Sequence, residues 1–205
     1  MNAGKTGTQP PLLRAIFLDK DGTLIEDVPH NVDPQRVVLG PRVAQGLALL
    51  QRHGYALFIV SNQSGIAHGI FSEAALRDVL QHLQNMLSDQ GIIIDGVYYC
   101  PHSPTGTVAS YASACTCRKP MPGMLQRAAG EHGIDLRRSW MIGDILHDIE
   151  AGHRAGCKAA LIDNGNETQW QHSPLRTPDI IASDVRAAAR MIMLLDAEDA
   201  KASEQ

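Results

Sequence analysis

Short apolar runs alternate with helix-patterned segments along most of the chain, and this alternation restricts the fold more than any other feature. Strands are predicted at Arg14–Leu18, Ala56–Val60, Gly96–Tyr99, Trp140–Ile142, Ala159–Ile162 and Asp179–Ala182. Helices are predicted at Val43–His53, from Ser72 to about Gln90, and at Gly123–His132, Leu146–Ala155 and Asp184–Leu195. This order favours an α/β fold with a doubly wound, mostly parallel sheet, which binds ligands beyond the carboxyl ends of its strands.

Composition indicates a globular chain without a nucleic-acid or membrane partner. The 205 residues are 44% hydrophobic and 20% charged, with a net charge of −4. No apolar run approaches the roughly 20 residues of a membrane span, and the N-terminus lacks a secretory signal. We expect a cytoplasmic monomer with one domain at residues 12–195, a disordered N-terminal tail at residues 1–11, and a flexible C-terminal tail at residues 196–205.

Two aspartates follow the first predicted strand directly. Asp19 and Asp21 stand two residues apart, so they point the same way while the chain stays extended, and Gly22 then permits a sharp turn. Paired carboxylates can bind Mg²⁺ through oxygen, and a carboxylate can also act as a covalent nucleophile. The pair alone is equally compatible with an ordinary turn into a helix.

Three further polar clusters follow or flank predicted elements. Residues 61–65, Ser-Asn-Gln-Ser-Gly, suit a phosphate as well as a simple turn. Arg118 and Lys119 precede a predicted helix and could be a surface basic pair. Asp144 and Asp148 stand four apart, where they could face the first-strand acids or merely start a helix. Their joint placement at strand ends points to one shared site.

These clusters resemble the four motifs of the haloacid dehalogenase superfamily, in the expected order. The matching residues are Asp19–Thr23, Ser61-Asn62, Lys119-Pro120 and Gly143–Asp148. The resemblance implies a phosphatase in which Asp19 attacks phosphorus and Asp21 is the general acid and base. It also implies that Ser61 and Lys119 hold the phosphoryl group. Mg²⁺ would be bound by Asp19, Asp144 and the backbone carbonyl of Asp21, with Asp148 supporting them.

Three of the four cysteines lie close to a histidine in the longest segment without periodicity. Twelve residues separate Cys100 and His102 from Cys115 and Cys117. Three thiolates and an imidazole are a tetrahedral ligand set for structural Zn²⁺. Disulfides and unliganded thiols are the alternatives, and an intracellular chain with a leftover cysteine disfavours disulfides. That fourth cysteine, Cys157, is expected to be a buried apolar residue rather than a ligand.

The cysteine pattern also narrows the resemblance within the superfamily. Cys-x-His, a loop, and Cys-x-Cys followed by Arg-Lys-Pro resemble the bacterial D-glycero-D-manno-heptose 1,7-bisphosphate 7-phosphatases. The strings Asn62–Ala67, Tyr98–His102 and Arg118–Met124 agree with that pattern. The resemblance implies a sugar-phosphate substrate that loses its C7 phosphate, with Arg118 recognising the distal phosphate. A zinc-pinned loop at residues 100–117 would replace a large cap domain. The other implied substrate-binding residues are Asp27, His30, Asn62, Gln63 and Ser64.

The sequence departs from that pattern in three places. Ile145 stands where the heptose enzymes usually carry Lys, Lys20 stands where Arg is common, and the segment Asn164–Trp170 has no assigned role. Histidinol-phosphate phosphatases share much of the plan, so histidinol phosphate or another small sugar phosphate is the alternative substrate. A catalytically silent binding module is disfavoured because every motif position keeps a competent residue. A zinc-finger-like nucleic-acid binder is disfavoured because the cysteine loop presents no basic or aromatic face.

Overall fold

The six strands found among the described residues lie in one parallel sheet. In the computed structural model, residues 12–203 are described; the predicted N-terminal tail at residues 1–11 lies outside them. The strands are β1 (Arg14–Leu18), β2 (Tyr55–Asn62), β3 (Gly96–Cys100), β4 (Trp140–Gly143), β5 (Lys158–Ile162) and β6 (Ile180–Ala182). Every pairing is parallel, and the strand order is β3-β2-β1-β4-β5-β6. The predicted doubly wound sheet is confirmed.

The strand order reverses direction at β1. Its two neighbours are β2, reached first along the chain, and β4, reached much later: Phe17 pairs with Phe58 on one side and Met141 on the other. A crevice opens at the carboxyl ends of the strands where such an order reverses. The polar residues after β1, β2 and β4 therefore meet at one edge of the sheet, which we call the site edge.

Within residues 12–203, five α-helices cover the two faces of the sheet. They are α1 (Val43–Arg52), α2 (Glu73–Ser88), α3 (Gly123–His132), α4 (Leu146–Ala155) and α5 (Val185–Ser203). Side chains of β1 alternate between the faces: Ile16 and Leu18 pack with α1, α2 and α5, whereas Ala15 and Phe17 pack with α3 and α4. Both faces of β1 are buried, which explains why its sequence is continuously apolar rather than alternating.

The last helix is longer than the sequence predicts. Helix α5 continues to Ser203, so the predicted end of the last helix at Leu195 is wrong. The carboxylate of Asp196 accepts hydrogen bonds from the hydroxyl of Tyr55, from Trp140 Nε1 at 3.3 Å and from Arg14 Nη1 at 3.3 Å. These donors belong to β2, β4 and β1, so Asp196 ties the helix to the amino ends of three strands.

Two long segments reach the site edge without forming a cap domain. Between β1 and α1, the described residues form only a 3-10 turn at Pro34–Arg36 and isolated bridges such as Ile25 with Leu39. Between β3 and α3, residues 101–122 contain neither helix nor strand. Across residues 12–203, no helix is long and apolar enough to cross a membrane.

Candidate active site

Asp19 and Lys119 form a buried ion pair at the site edge. Asp19 follows β1 directly and is 7% exposed, while Lys119 is 3% exposed. Lys119 Nζ donates a hydrogen bond to Asp19 Oδ1 and another, 3.0 Å long, to the backbone carbonyl of Val60. The same Nζ lies 2.6 Å from Oδ1 of Asp148. One cation therefore joins residues that are distant in the chain but adjacent across the sheet.

Lys119 is held from the backbone by Asn62, the last residue of β2. The side-chain amide of Asn62 donates to the carbonyl of Lys119 at 3.0 Å and accepts from its N–H at 2.9 Å. Two reciprocal bonds, each contributing about 0.5–1.5 kcal/mol, hold the backbone of Lys119 against the end of β2. Although the family resemblance implies that Asn62 binds substrate, the bonds of its side chain in the structure go to Lys119.

Asp21 lies in the turn after β1, and each of its carboxylate oxygens has one donor. Lys20 Nζ lies 2.5 Å from Oδ1, and Gln63 Nε2 lies 2.9 Å from Oδ2. Gln63 Nε2 also donates to Ser61 Oγ at 2.7 Å, and its backbone N–H donates to the carbonyl of Cys100 at 2.8 Å. Gln63 thus links the ends of β2 and β3 to Asp21.

A third carboxylate at the edge, Asp144, has no cationic partner among the described residues. It is 4% exposed, and its oxygens accept from Thr23 Oγ1 at 3.1 Å and from Asn166 Nδ2 at 2.7 Å. Oxygen atoms of Asp19, Asp144 and Asp148 all lie within 4.8 Å of one another. Three buried carboxylates around a single lysine leave negative charge that a divalent cation would balance.

The pKa values of these groups follow from burial and crowding. Burial raises the pKa of Asp19; Lys119 opposes this, and the carboxylates of Asp148, Asp144 and Asp21 add to it. Burial, then the charge of Asp148, raises the pKa of Asp144 to about 6. Burial acts to lower the pKa of Lys119, but Asp148 and Asp19 outweigh it and raise that pKa. Lys119 is therefore charged at neutral pH.

Two glycines allow the aspartate-bearing turns to approach each other. Gly22 has φ of 81°, and a Cβ there would lie 2.0 Å from Oδ2 of Asp144. A Cβ at Gly143 would lie 2.2 Å from Cβ of Asp148. Any side chain at either position would overlap the carboxylates, so the site requires glycine at both.

Asp148 links the Asp19–Lys119 pair to the start of α4. Besides its ion pair with Lys119, its Oδ2 accepts from the N–H of Ile145 at 3.3 Å, and the residue is fully buried. The carboxylate is therefore fixed from both sides, which agrees with a supporting role.

The cysteine loop (residues 100–117) brings its four predicted ligands together. The Sγ atoms of Cys100, Cys115 and Cys117 lie 3.1–3.5 Å apart, and Nδ1 of His102 lies 3.4 Å from Cys117 and 3.7 Å from Cys100. A tetrahedron with Zn–S near 2.3 Å has edges of roughly 3.5–3.8 Å, so the four atoms fit around one zinc ion with small adjustment. Cys157 is buried on the α3–α4 face and takes no part.

A cavity of about 230 Å³ opens beside Asp21. Five of the predicted substrate-binding residues line it: Asp27, His30, Asn62, Gln63 and Ser64. Arg118 does not line this cavity; its Nη1 donates to the carbonyl of His102 at 3.4 Å, which ties it to the cysteine loop. Lys20 and Phe71 also line the cavity, and sequence reasoning did not place either there.

Comparison with known proteins agrees with this architecture. Residues 116–188 match a family model described as HAD-hydrolase-like. A Photorhabdus laumondii protein named D-glycero-beta-D-manno-heptose-1,7-bisphosphate 7-phosphatase is 45% identical over 139 residues, covering 67% of this chain and 73% of that protein. The Escherichia coli K12 protein of that name is 42% identical, covering 67% of this chain and 72% of its own. This chain belongs to the heptose 1,7-bisphosphate 7-phosphatase family.

Two solved structures share the fold of this phosphatase over most of its length. One is a D,D-heptose 1,7-bisphosphate phosphatase from B. bronchiseptica in complex with magnesium and phosphate, with 31% identity and a TM-score of 0.77. The match covers 89% of this chain and 99% of the B. bronchiseptica chain. The other is a putative HAD-like phosphatase from Mesorhizobium loti, with 33% identity, a TM-score of 0.77, and coverage of 89% and 88%. The four predicted motifs thus identify the superfamily correctly.

Sequence reasoning missed several residues of this phosphatase that contact the aspartates. Lys20, 1% exposed, neighbours Asp21, and Thr23 and Asn166 donate to Asp144. A lysine between two motif aspartates was a usable signal, because a buried lysine needs an acid beside it. Asn166 gave no such signal, because its partner is 22 residues away and a sequence of Asn-Gly-Asn reads only as a turn.

Proposed function

We propose that the protein is a Mg²⁺-dependent phosphatase that removes the C7 phosphate of D-glycero-D-manno-heptose 1,7-bisphosphate. The observation that carries the proposal is the buried Asp19–Lys119 pair beside a second acid, Asp21, that borders a cavity. The names of the relatives supply the substrate. A carboxylate nucleophile and a separate acid and base are the groups that hydrolysis through a covalent intermediate requires.

The proposed reaction uses the two acids, Asp19 and Asp21, in two steps. A carboxylate oxygen of Asp19 bonds to phosphorus while the P–O bond to C7 breaks, and protonated Asp21 gives its proton to the leaving alkoxide. Asp21 then takes a proton from water, whose oxygen attacks phosphorus and displaces Asp19. Inorganic phosphate leaves, and both acids return to their starting states. Lys20 and Gln63 hold the Asp21 carboxylate at two fixed points during both steps.

Lys119 and Ser61 are proposed to hold the transferring phosphoryl group. Phosphoryl transfer depends mainly on positioning and on neutralising charge. Lys119 already lies against Asp19 and brings a fixed positive charge to the approach of a phosphate dianion. Ser61 is 1% exposed and is oriented by Gln63, so its hydroxyl is fixed before substrate arrives.

Asp19, Asp144 and the backbone carbonyl of Asp21 are proposed to hold Mg²⁺, with Asp148 in support. The fit rests on the uncompensated charge of Asp144 and on the crowding of the three carboxylates. Oxygen is the ligand that Mg²⁺ prefers. When bound, the ion supplies positive charge to the phosphoryl oxygens, while Thr23 fixes one oxygen of Asp144 from the protein side.

A structural Zn²⁺ is proposed for Cys100, His102, Cys115 and Cys117. Four protein ligands leave no open position for water, so the metal would stabilise the loop rather than take part in the reaction. The loop leads directly into Arg118 and Lys119, and its fixed shape would determine where both cationic side chains lie. Zinc binding needs reduced thiols, and we therefore propose that the protein works in the cytoplasm. We also propose, separately, that it acts as a monomer.

Asp27, His30, Asn62, Gln63 and Ser64 are proposed to contact the sugar phosphate, and Arg118 its distal phosphate. A planar guanidinium can bind a phosphate through two parallel hydrogen bonds. The cavity is lined mainly by polar side chains, among them Lys20, Asp27 and His30. This lining suits a small hydroxylated anion better than an apolar ligand.

The test compares kcat/KM with Mg²⁺ on heptose 1,7-bisphosphate and on histidinol phosphate. We expect the bisphosphate to be preferred by about 10²-fold or more, which corresponds to about 2.7 kcal/mol. Preference for histidinol phosphate, or phosphate release that persists in EDTA, would overturn the proposal.

Asp19→Asn tests the covalent mechanism within the same assay. We expect kcat to fall by about 10⁴-fold or more, because the amide cannot form the phosphoryl bond. A thermal melt confirms that the variant is folded. Substantial kcat in a preparation free of other phosphatases would disprove a role for Asp19 as nucleophile.

A further inference from the structure

The turn after β5 contacts both aspartate-bearing loops of the site. Asn164 Nδ2 donates to the carbonyl of Gly22 at 2.7 Å, in the loop that carries Asp19 and Asp21. Asn166 Nδ2 donates to Oδ2 of Asp144 at 2.7 Å. The turn starts two residues after the end of β5. Its hydrogen-bond partners are distant in sequence: Gly22 precedes Asn164 by 142 positions, and Asp144 precedes Asn166 by 22 positions.

The same turn also reaches the start of α4. Glu167 Oε2 accepts from the N–H of Leu146 at 2.7 Å, and Leu146 is the first residue of that helix. A carboxylate at a helix N-terminus is favourable because the first N–H groups lack partners within the helix. Asp144 lies two residues before the helix, so Glu167 fixes the backbone that carries it.

The turn has a defined shape of its own. Asn164 Oδ1 accepts from the backbone N–H of Asn166 at 3.1 Å, and Gly165 between them has φ of 91°. An asparagine that closes a turn onto the residue two positions later is a recurrent local structure. Asn164 therefore sets the direction of Asn166 while its amide nitrogen binds Gly22.

A neutral donor at Asp144 has a chemical advantage over a cation. Thr23 and Asn166 each donate one hydrogen bond, to different oxygens of Asp144. They fix the rotation of the carboxylate without cancelling its charge, and each oxygen keeps further lone-pair capacity. A lysine or arginine at position 166 would instead compete with a bound cation.

We propose that Asn166 is a positioning residue for the Mg²⁺ ligand Asp144, and that Asn164 and Glu167 hold its turn against both loops. The inference rests on the metal assignment in the proposed function. Partners that orient metal ligands commonly contribute 10–100-fold to metal affinity or activity. The segment that follows β5 is therefore part of the magnesium site although it supplies no ligand.

The test measures Mg²⁺ affinity by calorimetry in the full-length protein, without substrate. Asn166→Ala and the similarly sized Asn166→Leu should each raise the dissociation constant by about tenfold or more. Thr168→Ala, an exposed neighbour in the same segment, should leave it unchanged. At saturating Mg²⁺, kcat of the Asn166 variants should stay within about threefold of the wild type, because the acid, base and nucleophile are all retained. Melting curves in EDTA show whether each variant is folded.

The outcomes separate this inference from the function that it rests on. Unchanged Mg²⁺ affinity in a folded Asn166 variant, or an equal loss in Thr168→Ala, would overturn the role of Asn166 alone. If the wild type binds no Mg²⁺, the metal assignment fails and takes this inference with it.

Discussion

Each functional side chain of the site is oriented by a neighbour that is distant in the chain. The motif residues Asp19, Asp21, Lys119 and Asp144 are predictable from sequence because their types and order carry the chemistry. Their partner Asn166 is not, because an ordinary asparagine becomes functional only through a contact that the fold creates. Gln63 is predictable only in part. The sequence indicates that it contacts substrate, whereas in the structure its side-chain amide donates hydrogen bonds to Asp21 and Ser61.

Gln63→Leu should lower kcat because it removes the donor shared by Asp21, the proposed general acid, and Ser61, while keeping the side-chain volume. General acid–base catalysis contributes about 10²–10⁴-fold, so a misplaced but present Asp21 should cost about 10–100-fold. The effect should appear mainly in kcat, measured by phosphate release under saturating substrate. Gln81→Leu, at an exposed position of α2, is the matched control. Equal kcat for the two variants would contradict the positioning role.

The helices and strands were predictable wherever apolar periodicity was strong. Predicted and observed bounds agree for β1, α3 and α4. Errors occur where an element continues through polar residues: β2 includes Ser61 and Asn62, and α5 includes the polar stretch after Leu195. In both cases tertiary hydrogen bonds stabilise the polar residues, and local patterning cannot show such bonds.

Loss of the zinc proposed for the cysteine loop should reduce activity by displacing Arg118 and Lys119. Cys117→Ser should lower the zinc content, measured by elemental analysis, and reduce kcat/KM by about tenfold or more, because metal binding in small loops is coupled to their folding. Mg²⁺ is kept saturating so that only the loop is tested. Cys157→Ala, which lies outside the cluster, should retain both zinc and activity. Full activity in a zinc-free Cys117→Ser protein would show that the loop does not need the metal.

Glu150 on α4 should give the protein a stability that is lost in acid. Burial acts to raise its pKa, but hydrogen bonds from Arg176 and Arg154 outweigh it and hold the pKa below the usual value. A carboxylate with a lowered pKa stabilises the fold above its unfolded pKa of about 4.3, and that stability disappears as the pH falls through the folded pKa. Glu150→Gln should therefore lower the free energy of unfolding by about 1–2 kcal/mol at pH 7 and by much less at pH 3.

Urea denaturation at both pH values measures this difference. Glu198→Gln, at an exposed position of α5, should show no such pH dependence. The same destabilisation by Glu150→Gln at pH 7 and pH 3 would mean that packing, rather than charge, explains the effect.

On the scale of the whole molecule, stability and catalysis oppose each other at the site edge. Asp144 is buried without a cationic partner among the described residues, close to two other carboxylates. Such repulsion destabilises the folded protein until a bound cation balances it. The fold itself was predictable because strands and helices that alternate along most of the described chain allow few arrangements.

Asp144→Asn should therefore stabilise the protein in EDTA while abolishing the effect of Mg²⁺. At pH 7.5 we expect the melting temperature in EDTA to rise by about 2–6 °C, since roughly 1–2 kcal/mol of repulsion is removed from a chain of this size. Added Mg²⁺ should raise the melting temperature of the wild type but not of the variant. Asp78→Asn, an exposed acid on α2, controls for net charge. A lower melting temperature for Asp144→Asn in EDTA would contradict this account.

The contacts of Asp196 with Tyr55, Trp140 and Arg14 lie at the amino ends of the strands, one strand length from the site edge. Five residues of strand span about 16 Å, so substitutions at the two edges share no neighbours and their effects should add. Substitutions at the amino ends of the strands can therefore raise the stability of the enzyme without altering the chemistry at the site edge. Engineering for heat stability should therefore begin with the C-terminal part of α5. A truncation that removes Asp196 would delete its contacts with the three strands.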